Sequence, residues 1–282
     1  MPGRLFVVAT PIGNLEDITA RALRVLREVS LIAAEDTRRT ANLLARYAIP
    51  TRTTSLHEHN EEKKSSALVE RLRQGEDIAL VSDAGTPTVS DPGRRLIAAA
   101  IDAGIRVEPI PGPSAALAAL AVSGLPTDSF LFLGFPPVKA KDRTTWFETV
   151  RTAGRTVVFF EAPHRIRTTL EQLLDRIGDR EVVLARELTK AHEELVRGPI
   201  SEALKGILTP RGEFTVVVDV GHTTEYVGTE PLSDQALAYE FGVMTNLKGG
   251  NRRQAIAAIA RRHGKTANEV YDAIERAKKS VT

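Results

Sequence analysis

Short apolar runs alternate along the chain with longer segments in which apolar residues recur every three or four positions. In the first part, the runs at 5–10, 31–35, 78–82 and 107–110 predict strands, and the segments at 19–29, 37–47, 61–74 and 93–103 predict helices. Alternation of strand and helix predicts an α/β fold with a mostly parallel sheet covered by helices. A further helix is predicted at 115–122, where Ser114 can act as its cap.

The same alternation resumes after a turn-rich break at 124–128. Strands are predicted at 130–135, 156–160, 182–186 and 213–220, and helices at 141–151, 165–177 and 201–207. We therefore predict two α/β domains at 1–123 and 124–222, a linker at 223–247, and a helical extension at 248–282. The extension contains two short helices, 252–262 and 267–278, joined at 263–266 in a pattern that resembles a helix-turn-helix.

Composition and charge narrow the class of protein. The chain has 282 residues, no cysteine and a net charge of +2, so disulfides and a thiol nucleophile are excluded and a reducing cytoplasm is the expected location. No apolar run approaches the roughly 18–20 residues of a membrane span. Residues 248–282 carry nine basic and three acidic side chains, a local charge of +6 that leaves −4 for the rest. This basic tail is explained equally by a polyanionic partner and by a solvated helical face.

The loop at 82–93, with the sequence SDAGTPTVSDPG, is the most informative segment. It joins a predicted strand to a helix and combines small residues with the carboxylate of Asp83. Ligands of open α/β sheets bind outside the carboxyl ends of the strands. We therefore expect a small molecule to bind at this loop.

Several common kinds of site are not supported by the sequence. The first strand's loop, ATPIGN at 9–14, is not G-x-G-x-x-G, and neither a P-loop nor a G-x-S-x-G elbow occurs. The segment His57-Glu58-His59 offers two metal-ligand types, but no further ligands cluster near it in the sequence, so a loop or hydrogen-bonding role is favoured. The sequence therefore predicts a ligand site that depends on neither phosphate binding, a metal nor covalent catalysis.

Seven segments, taken together and in order, resemble one known family. They are VVATPIGNLEDIT at 7–19, AEDTR at 34–38, SLHEHNE at 55–61, the 82–93 loop, PGPSA at 111–115, FEAPHR at 160–165 and RELTKAHEE at 186–194. They resemble the ribosomal small-subunit RNA 2′-O-ribose methyltransferase I family of the tetrapyrrole methylase superfamily. The basic tail is similar, with less specificity, to the C-terminal extension of that family.

The resemblance implies a two-domain methyltransferase that binds S-adenosylmethionine in the cleft between its domains. The implied substrate is the ribose 2′-hydroxyl of a cytidine in the decoding region of 16S ribosomal RNA within the small ribosomal subunit, and a homodimer is implied as well. No metal and no membrane partner are implied. The positions that match the superfamily's cofactor contacts are Ile12, Ser82, Asp83, Thr86, Ser114, Ala115, Glu161 and Leu188. Glu161 stands where many members have Met.

A ribose hydroxyl attacks a methyl group poorly until its proton leaves, so a general base is expected to help. The candidates near predicted strand ends are Asp36, His57, Glu187 and Lys190, and structural or substrate-positioning roles stay open for each. For RNA, the expected contacts are Arg38, Arg39, Arg165, Arg252, Arg253 and Lys265, with ion pairing to nearby acids as the alternative for the arginines.

Two other functions are compatible with this sequence. One is a tetrapyrrole C-methyltransferase of the same superfamily, against which the basic tail and the segment 161–165 weigh. The other is a non-catalytic ribosome-binding factor that keeps the cofactor fold. An assay of methyl transfer from S-adenosylmethionine to small ribosomal subunits distinguishes these two functions from an RNA methyltransferase.

Overall fold

The computed structural model describes residues 1–207, 212–221, 234–247, 252–262 and 265–279. The chain divides into two compact units, Met1–Val220 and Gly221–Thr282. The larger unit contains two lobes, each built on a five-stranded sheet.

The first lobe is a parallel sheet with helices on both faces, as predicted. Its strands are β1 (Arg4–Val8), β2 (Leu31–Ala34), β3 (Thr53–Ser55), β4 (Ile78–Val81) and β5 (Arg106–Ile110), and its helices are α1 (Ala20–Glu28), α2 (Thr37–Arg46), α3 (Glu61–Arg73), α4 (Arg94–Asp102) and α5 (Ala115–Ser123). The strand order is β3-β2-β4-β1-β5, with every pairing parallel. The strands β2 and β4 are buried along their whole length, which explains their continuous apolar sequences.

Alternate residues of these strands supply two separate cores. On one face Phe6, Ile32 and Val81 pack against α1 and α2. On the other face Leu5, Leu31 and Leu80 pack against α3 and α4. This double coverage fixes the register of the central strands, because a shift by one residue would exchange the two faces.

The second lobe has a mixed sheet. Its strands are β6 (Phe130–Phe132), β7 (Thr156–Glu161), β8 (Glu181–Arg186), β9 (Glu194–Pro199) and β10 (Phe214–Asp219), and its helices are α6 (Ala140–Arg151), α7 (Ile166–Ile177) and α8 (Ile200–Gly206). The order is β6-β7-β10-β8-β9, in which only the β6–β7 pair is parallel. Helix α5 packs on this sheet, where Ala119 and Leu120 contact the cluster that contains Val158 and Val217. The last helix of the first lobe thereby joins the two lobes.

The second unit is helical, with α9 (Asp234–Leu247), α10 (Arg252–Arg262) and α11 (Ala267–Lys279). The predicted linker at 223–247 therefore contains a helix, and its residues 223–233 lie outside the described part of the chain. Leu237 and Phe241 of α9 pack with Ile259, Val270 and Ile274 of the two following helices. Of the predicted 263–266 turn, residues 263 and 264 lie outside the described residues, whereas Thr266 and Glu269 form a reciprocal cap that starts α11.

Within the described ranges, no helix is both long and apolar enough to cross a membrane.

Candidate active site

A cavity of about 270 Å³ lies between the two lobes of the larger unit. Its first-lobe wall comes from the segments that follow β1, β2 and β4 and from the start of α5, and its second-lobe wall comes from Phe135, Phe160 and the ends of β8 and β10. The charged and polar lining residues are Glu35, Arg39, Asp83, Thr86, Ser90, Asp91, Ser114, Glu187, Lys190, Glu213 and Thr215. This is the edge of the parallel sheet at which ligands of α/β proteins bind.

The loop after β4 lines the first-lobe side of the cavity, and backbone hydrogen bonds join it to the loop after β1. Gly85 exchanges two hydrogen bonds with Thr10 of the first loop, at 2.8 and 3.0 Å. Its φ of +77° suits glycine, and an added Cβ would lie 3.4 Å from the Ile12 side chain. The Thr86 hydroxyl donates to the Pro113 carbonyl over 3.2 Å, which attaches the loop that precedes α5. Three loops are therefore held together, with small residues towards the cavity.

Asp83 connects this loop to the end of β2. One carboxylate oxygen accepts the backbone N–H of Asp36 over 2.9 Å, and the other lies 3.5 Å from a guanidinium nitrogen of Arg39. The backbone N–H of Asp83 in turn donates to the Glu35 carboxylate over 3.3 Å. The residues Asp83, Glu35 and Arg39 line the cavity together.

Asp36 has a capping role in this structure. Its carboxylate accepts the backbone N–H of Arg38 over 2.8 Å and pairs with the Arg38 guanidinium at 2.9 Å, at the start of α2. These hydrogen bonds lower the pKa of Asp36 to about 2. Asp36 is not among the residues that line the cavity. The geometry favours the structural reading of this candidate over the general base.

The second-lobe wall is built from the turn after β8. Glu187 and Thr189 have positive φ values of 50° and 65°. The Lys190 ammonium lies 2.9 Å from a Glu187 carboxylate oxygen, and this hydrogen bond lowers the pKa of Glu187. The same Glu187 oxygen accepts the Glu213 backbone N–H over 3.1 Å. Glu187, Leu188 and Lys190 all line the cavity, and their predicted roles stay predictions.

The first loop of the first lobe contacts this turn directly. The Asn14 backbone N–H donates to the Thr189 hydroxyl over 2.9 Å. A Cβ at Gly13 would lie 2.5 Å from Lys190 Cγ and 2.7 Å from the Leu188 carbonyl oxygen. Glycine is therefore required where the two lobes approach each other.

His57 lies apart from the cavity, on the loop between β3 and α3. Its Nε2 is 2.9 Å from the Asn60 side-chain amide, and its Nδ1 is buried with no hydrogen-bond partner. Across the described part of the chain, no group of three or more His, Asp and Glu side chains is arranged to hold a metal ion.

Glu161 and Arg165 are also not among the residues that line the cavity. The Glu161 side chain is fully buried, accepts the Thr169 hydroxyl over 2.5 Å and lies 3.3 Å from the Arg165 guanidinium. Arg165 donates as well to the Pro136 carbonyl. These contacts give both residues a structural role, and their predicted contacts with cofactor and RNA stay predictions.

The other predicted RNA contacts are solvent-exposed. The side chain of Arg38 is 90% exposed, and that of Arg39 is 65% exposed at the cavity. Arg252, Arg253 and Lys265 are exposed on the helical unit, where the Arg252 guanidinium lies 5.6 Å from the centre of the Phe241 ring.

Of the remaining predicted cofactor contacts, Ile12, Thr86, Ser114 and Ala115 line the cavity. Ser82 is buried beneath it, and its hydroxyl is 3.5 Å from the Gly85 carbonyl.

Sequence reasoning did not single out Glu35, Asp91 or Glu213, although all three carboxylates line the cavity. Burial, the nearby Glu35 charge and, more weakly, the charges of Asp83 and Glu213 raise the pKa of Asp91 to about 7, against a smaller opposing effect of its hydrogen bond with Ser82. Burial raises the pKa of Glu35 too. The signal available in the sequence was the second Ser-Asp pair of the 82–93 loop, which repeats the residue types of the first.

The cavity is therefore acidic. Five carboxylates, those of Glu35, Asp83, Asp91, Glu187 and Glu213, face two cations, those of Arg39 and Lys190. Such a site favours a cationic or neutral ligand and disfavours a polyphosphate.

Comparison with known proteins identifies the class. Residues 4–204 match the family model of the tetrapyrrole (corrin/porphyrin) methylases. The two-lobed fold is shared with a crystal structure of diphthine synthase (TM-score 0.62, 18% identity, 77% of this chain and 90% of that one). It is shared also with uroporphyrin-III C-methyltransferase from Thermus thermophilus complexed with S-adenyl homocysteine (TM-score 0.57, 20% identity, 77% and 98%). The chain belongs to the tetrapyrrole methylase family.

Sequence relatives narrow the family further. A protein of Halalkalibacterium halodurans named ribosomal RNA small subunit methyltransferase I is 44% identical over 96% of this chain and 94% of its own length. A protein of the same name from Vibrio cholerae is 45% identical over 95% and 92%. Within the tetrapyrrole methylases, this chain is a member of the ribosomal RNA small subunit methyltransferase I family.

Proposed function

We propose that this protein is an S-adenosylmethionine-dependent methyltransferase that methylates the ribose 2′-hydroxyl of a cytidine in the decoding region of 16S ribosomal RNA. The observation that carries the proposal is the acidic interlobe cavity, in a chain whose relatives over nearly its whole length are named ribosomal RNA small subunit methyltransferase I. The choice of the cytidine 2′-hydroxyl rests on the resemblance of the seven sequence segments.

The lining of the cavity fits this methyl donor. The donor supplies a methyl group on a positively charged sulfonium, and it has ribose hydroxyls and an amino group but no phosphate. Carboxylates such as Asp83 suit the hydroxyls and the amino group, and the apolar wall of Ile12, Leu188 and Phe160 suits an adenine ring. The free N–H groups at the start of α5, next to Ser114 and Ala115, suit a carboxylate.

The protein's own contribution to catalysis is then chiefly positioning. Holding two reactants at reaction distance and alignment can lower a barrier by about 7–11 kcal/mol. The contacts between Gly13, Asn14 and the 188–190 turn hold the two walls of the cavity in a fixed relation. That rigidity is what an alignment-dependent transfer needs.

The RNA is expected to bind through exposed basic side chains, one of which, Arg39, lines the acidic cavity. Arg38 and Arg39 lie at the start of α2, and Arg252, Arg253 and Lys265 lie on the helical unit. Phosphate contacts of this kind give affinity that falls steeply with salt. Only one ribose needs to enter the cavity.

We propose further that the protein acts as a homodimer in the cytoplasm. The exposed apolar side chains Leu117 and Val122 on α5 support a contact between copies, because large apolar residues at the surface favour association. Sedimentation equilibrium of the purified protein tests the dimer.

The deciding experiment uses small ribosomal subunits purified from cells that lack this methylation. Incubation with methyl-labelled S-adenosylmethionine should label the 16S RNA, and nuclease digestion with mass spectrometry should find a 2′-O-methylcytidine in the decoding region. Label on a base would contradict the ribose assignment. Transfer to a porphyrinogen alone would indicate a tetrapyrrole methyltransferase, and no transfer at all would indicate a non-catalytic binding factor.

A further inference from the structure

The structure removes most of the candidates for a proton acceptor at this site. Asp36 caps α2 and pairs with Arg38, and it is not among the cavity-lining residues; His57 lies on a separate loop. Glu187 is bound by Lys190 and by the Glu213 backbone N–H, and Lys190 is engaged in that ion pair. A proton acceptor must therefore be sought among the other carboxylates of the cavity.

Three of those carboxylates are already engaged or exposed. Asp83 accepts the Asp36 N–H and pairs with Arg39. Glu35 accepts the Asp83 N–H. The side chain of Glu213 is 79% exposed and lies 3.8 Å from Lys190.

Asp91 is different. It lines the cavity, its side chain is partly buried, and in the described part of the chain it forms no ion pair with a basic side chain. The Ser82 hydroxyl lowers the pKa of Asp91, against the larger effects of burial and of Glu35. The charged groups that line the cavity with Asp91 are Glu35, Arg39 and Asp83 from the first lobe and Glu187, Lys190 and Glu213 from the second. Of these, Glu35, Asp83 and Glu213 raise its pKa.

The backbone around Asp91 is fixed from outside the cavity. The buried Glu61 carboxylate accepts the N–H of Gly93 over 3.0 Å and that of Arg95 over 2.8 Å, which caps the start of α4. Gly93 has a φ of +123°, and a Cβ there would lie 2.6 Å from the Leu80 side chain. Asp91 is thus presented on a rigid turn rather than on a free loop.

Building on the proposed function, we infer that the Asp91 carboxylate is the general base of the transfer. The acceptor hydroxyl gives its proton to Asp91, and its oxygen forms a bond to the methyl carbon. The bond between that carbon and sulfur breaks with its electron pair left on sulfur, so a methyl ether, a neutral thioether and a protonated Asp91 result. The proton then passes to solvent.

The acidic surroundings suit this role. Because burial and the neighbouring Glu35 raise the pKa of Asp91 to about 7, the group is a much stronger base than an ordinary aspartate and is still half ionised at neutral pH. An ordinary carboxylate at pKa 3.8 would be ionised but would attract the proton weakly.

The test compares wild type with Asp91→Asn, Asp91→Glu and Glu35→Gln, and with Asp102→Asn as a matched control on the exposed end of α4. Single-turnover methyl transfer to undermethylated small subunits is measured from pH 5.5 to 9. Affinity for S-adenosylhomocysteine is measured by calorimetry, and the aspartate carboxyl groups are titrated by ¹³C NMR.

We expect Asp91→Asn to bind S-adenosylhomocysteine within about threefold of wild type and to lose about 10²–10⁴-fold in rate. The wild-type rate should fall tenfold per pH unit below about 7. This acidic limb of the pH–rate profile should be absent in Asp91→Asn and restored in part in Asp91→Glu. In Glu35→Gln it should move to lower pH. An NMR signal that titrates near pH 7 should disappear only in the Asp91 variants.

Four results would overturn the inference. Loss of S-adenosylhomocysteine binding together with rate would make Asp91 a cofactor contact, and an unchanged pH limb in Asp91→Asn would assign the limb to another group. The absence of transfer by wild type would overturn the proposed function, and the general base with it. Wild-type transfer with an unaffected Asp91→Asn would overturn the general base alone.

Discussion

The buried carboxylate of Glu161 offers the sharpest separation of a structural role from a cofactor role. Glu161 lies at the end of β7 and connects this strand to two helices. Its carboxylate contacts Thr169 of α7 and Arg165, the residue before that helix. Thr169 in turn connects it to Arg143 of α6. Arg143 donates to the Thr169 hydroxyl over 2.7 Å, and that hydroxyl donates to Glu161. Burial and the charge of Arg165 lower the pKa of Arg143, with Glu161 opposing them.

Replacing Glu161 with Ala leaves two guanidinium groups near one another without their shared anion. Breaking a buried ion pair by removing one partner costs about 3–5 kcal/mol. Loss of about 1 kcal/mol lowers Tm by roughly 2–4 °C in a domain of about 150–250 residues. We therefore expect Glu161→Ala to lower Tm by about 10 °C, and affinity for S-adenosylhomocysteine, measured by calorimetry at a temperature where the variant is folded, to change less than about threefold.

The control is Glu171→Ala on α7, whose carboxylate pairs with Arg167 at 3.6 Å but is 53% exposed. An exposed pair contributes about 0–1 kcal/mol, so Tm should fall by no more than a few degrees. The reasoning is refuted if Glu161→Ala keeps the wild-type Tm and weakens S-adenosylhomocysteine binding tenfold or more, which would make Glu161 the cofactor contact that the sequence suggested.

Three further outcomes are expected. Asp83→Ala should weaken S-adenosylhomocysteine binding by about 10–100-fold, through loss of a charged hydrogen-bond acceptor, and an unchanged Kd would remove Asp83 from the cofactor site. Because the pKa of Asp91 is raised from 3.8 to about 7, its ionisation disfavours the folded state, so wild-type stability from this group is greatest below pH 3.8 and is lost as pH rises through 7. Asp91→Asn should thus raise Tm relative to wild type by more at pH 8 than at pH 5, where only part of this stability has been lost, and equal differences at both pH values would contradict this. Ending the chain after Val220 should keep S-adenosylhomocysteine binding but weaken RNA binding and its salt dependence, as measured by filter binding, whereas undiminished RNA affinity would exclude the helical unit as an RNA contact.

The position of that truncation follows from the structure rather than from the sequence. The sequence predicts that the basic helical extension starts at 248, which would put the cut there. Because α9 buries Leu237 and Phe241 against α10 and α11, a cut at 248 would expose the apolar face of α9. Helix α9 escaped prediction because the segment that precedes it is rich in turn residues, and its apolar pattern becomes meaningful only with the helices that cover it.

The sequence predicted the strands that are buried on both faces, because such strands have continuous apolar sequences. The strands β2 and β4 are buried at every position and were predicted to within a residue or so. β3 consists of Thr53, Thr54 and Ser55, and β9 mixes Glu, Arg, Gly and Pro with only two apolar residues, so neither carries an apolar signal. Both are edge strands, which are defined by pairing with a neighbour that the local sequence does not show.

The candidate site divides in the same way. The loop at 82–93 could be located because small residues after an apolar strand have a local meaning. The different roles of Asp36 and Asp91 could not be predicted from the sequence, because both are acidic residues in a strand-to-helix connection. They differ in which side chains and N–H groups the fold brings to them: Arg38 for Asp36, and Glu35 with Ser82 for Asp91.

The acidity of the cavity has opposite effects on the two halves of the proposed reaction. Negative charge around a sulfonium stabilises the bound donor, but that stabilisation weakens as the positive charge disperses in the transition state, so the carboxylates favour binding more than methyl transfer. The same charges make proton removal easier, because they strengthen Asp91 as a base. A site that relied on the donor alone would gain affinity but little rate from Glu35, whereas a site that must deprotonate a hydroxyl gains basicity from it. The close grouping of Glu35, Asp83 and Asp91 is therefore better explained by an oxygen acceptor than by a carbon acceptor that needs no base of this strength.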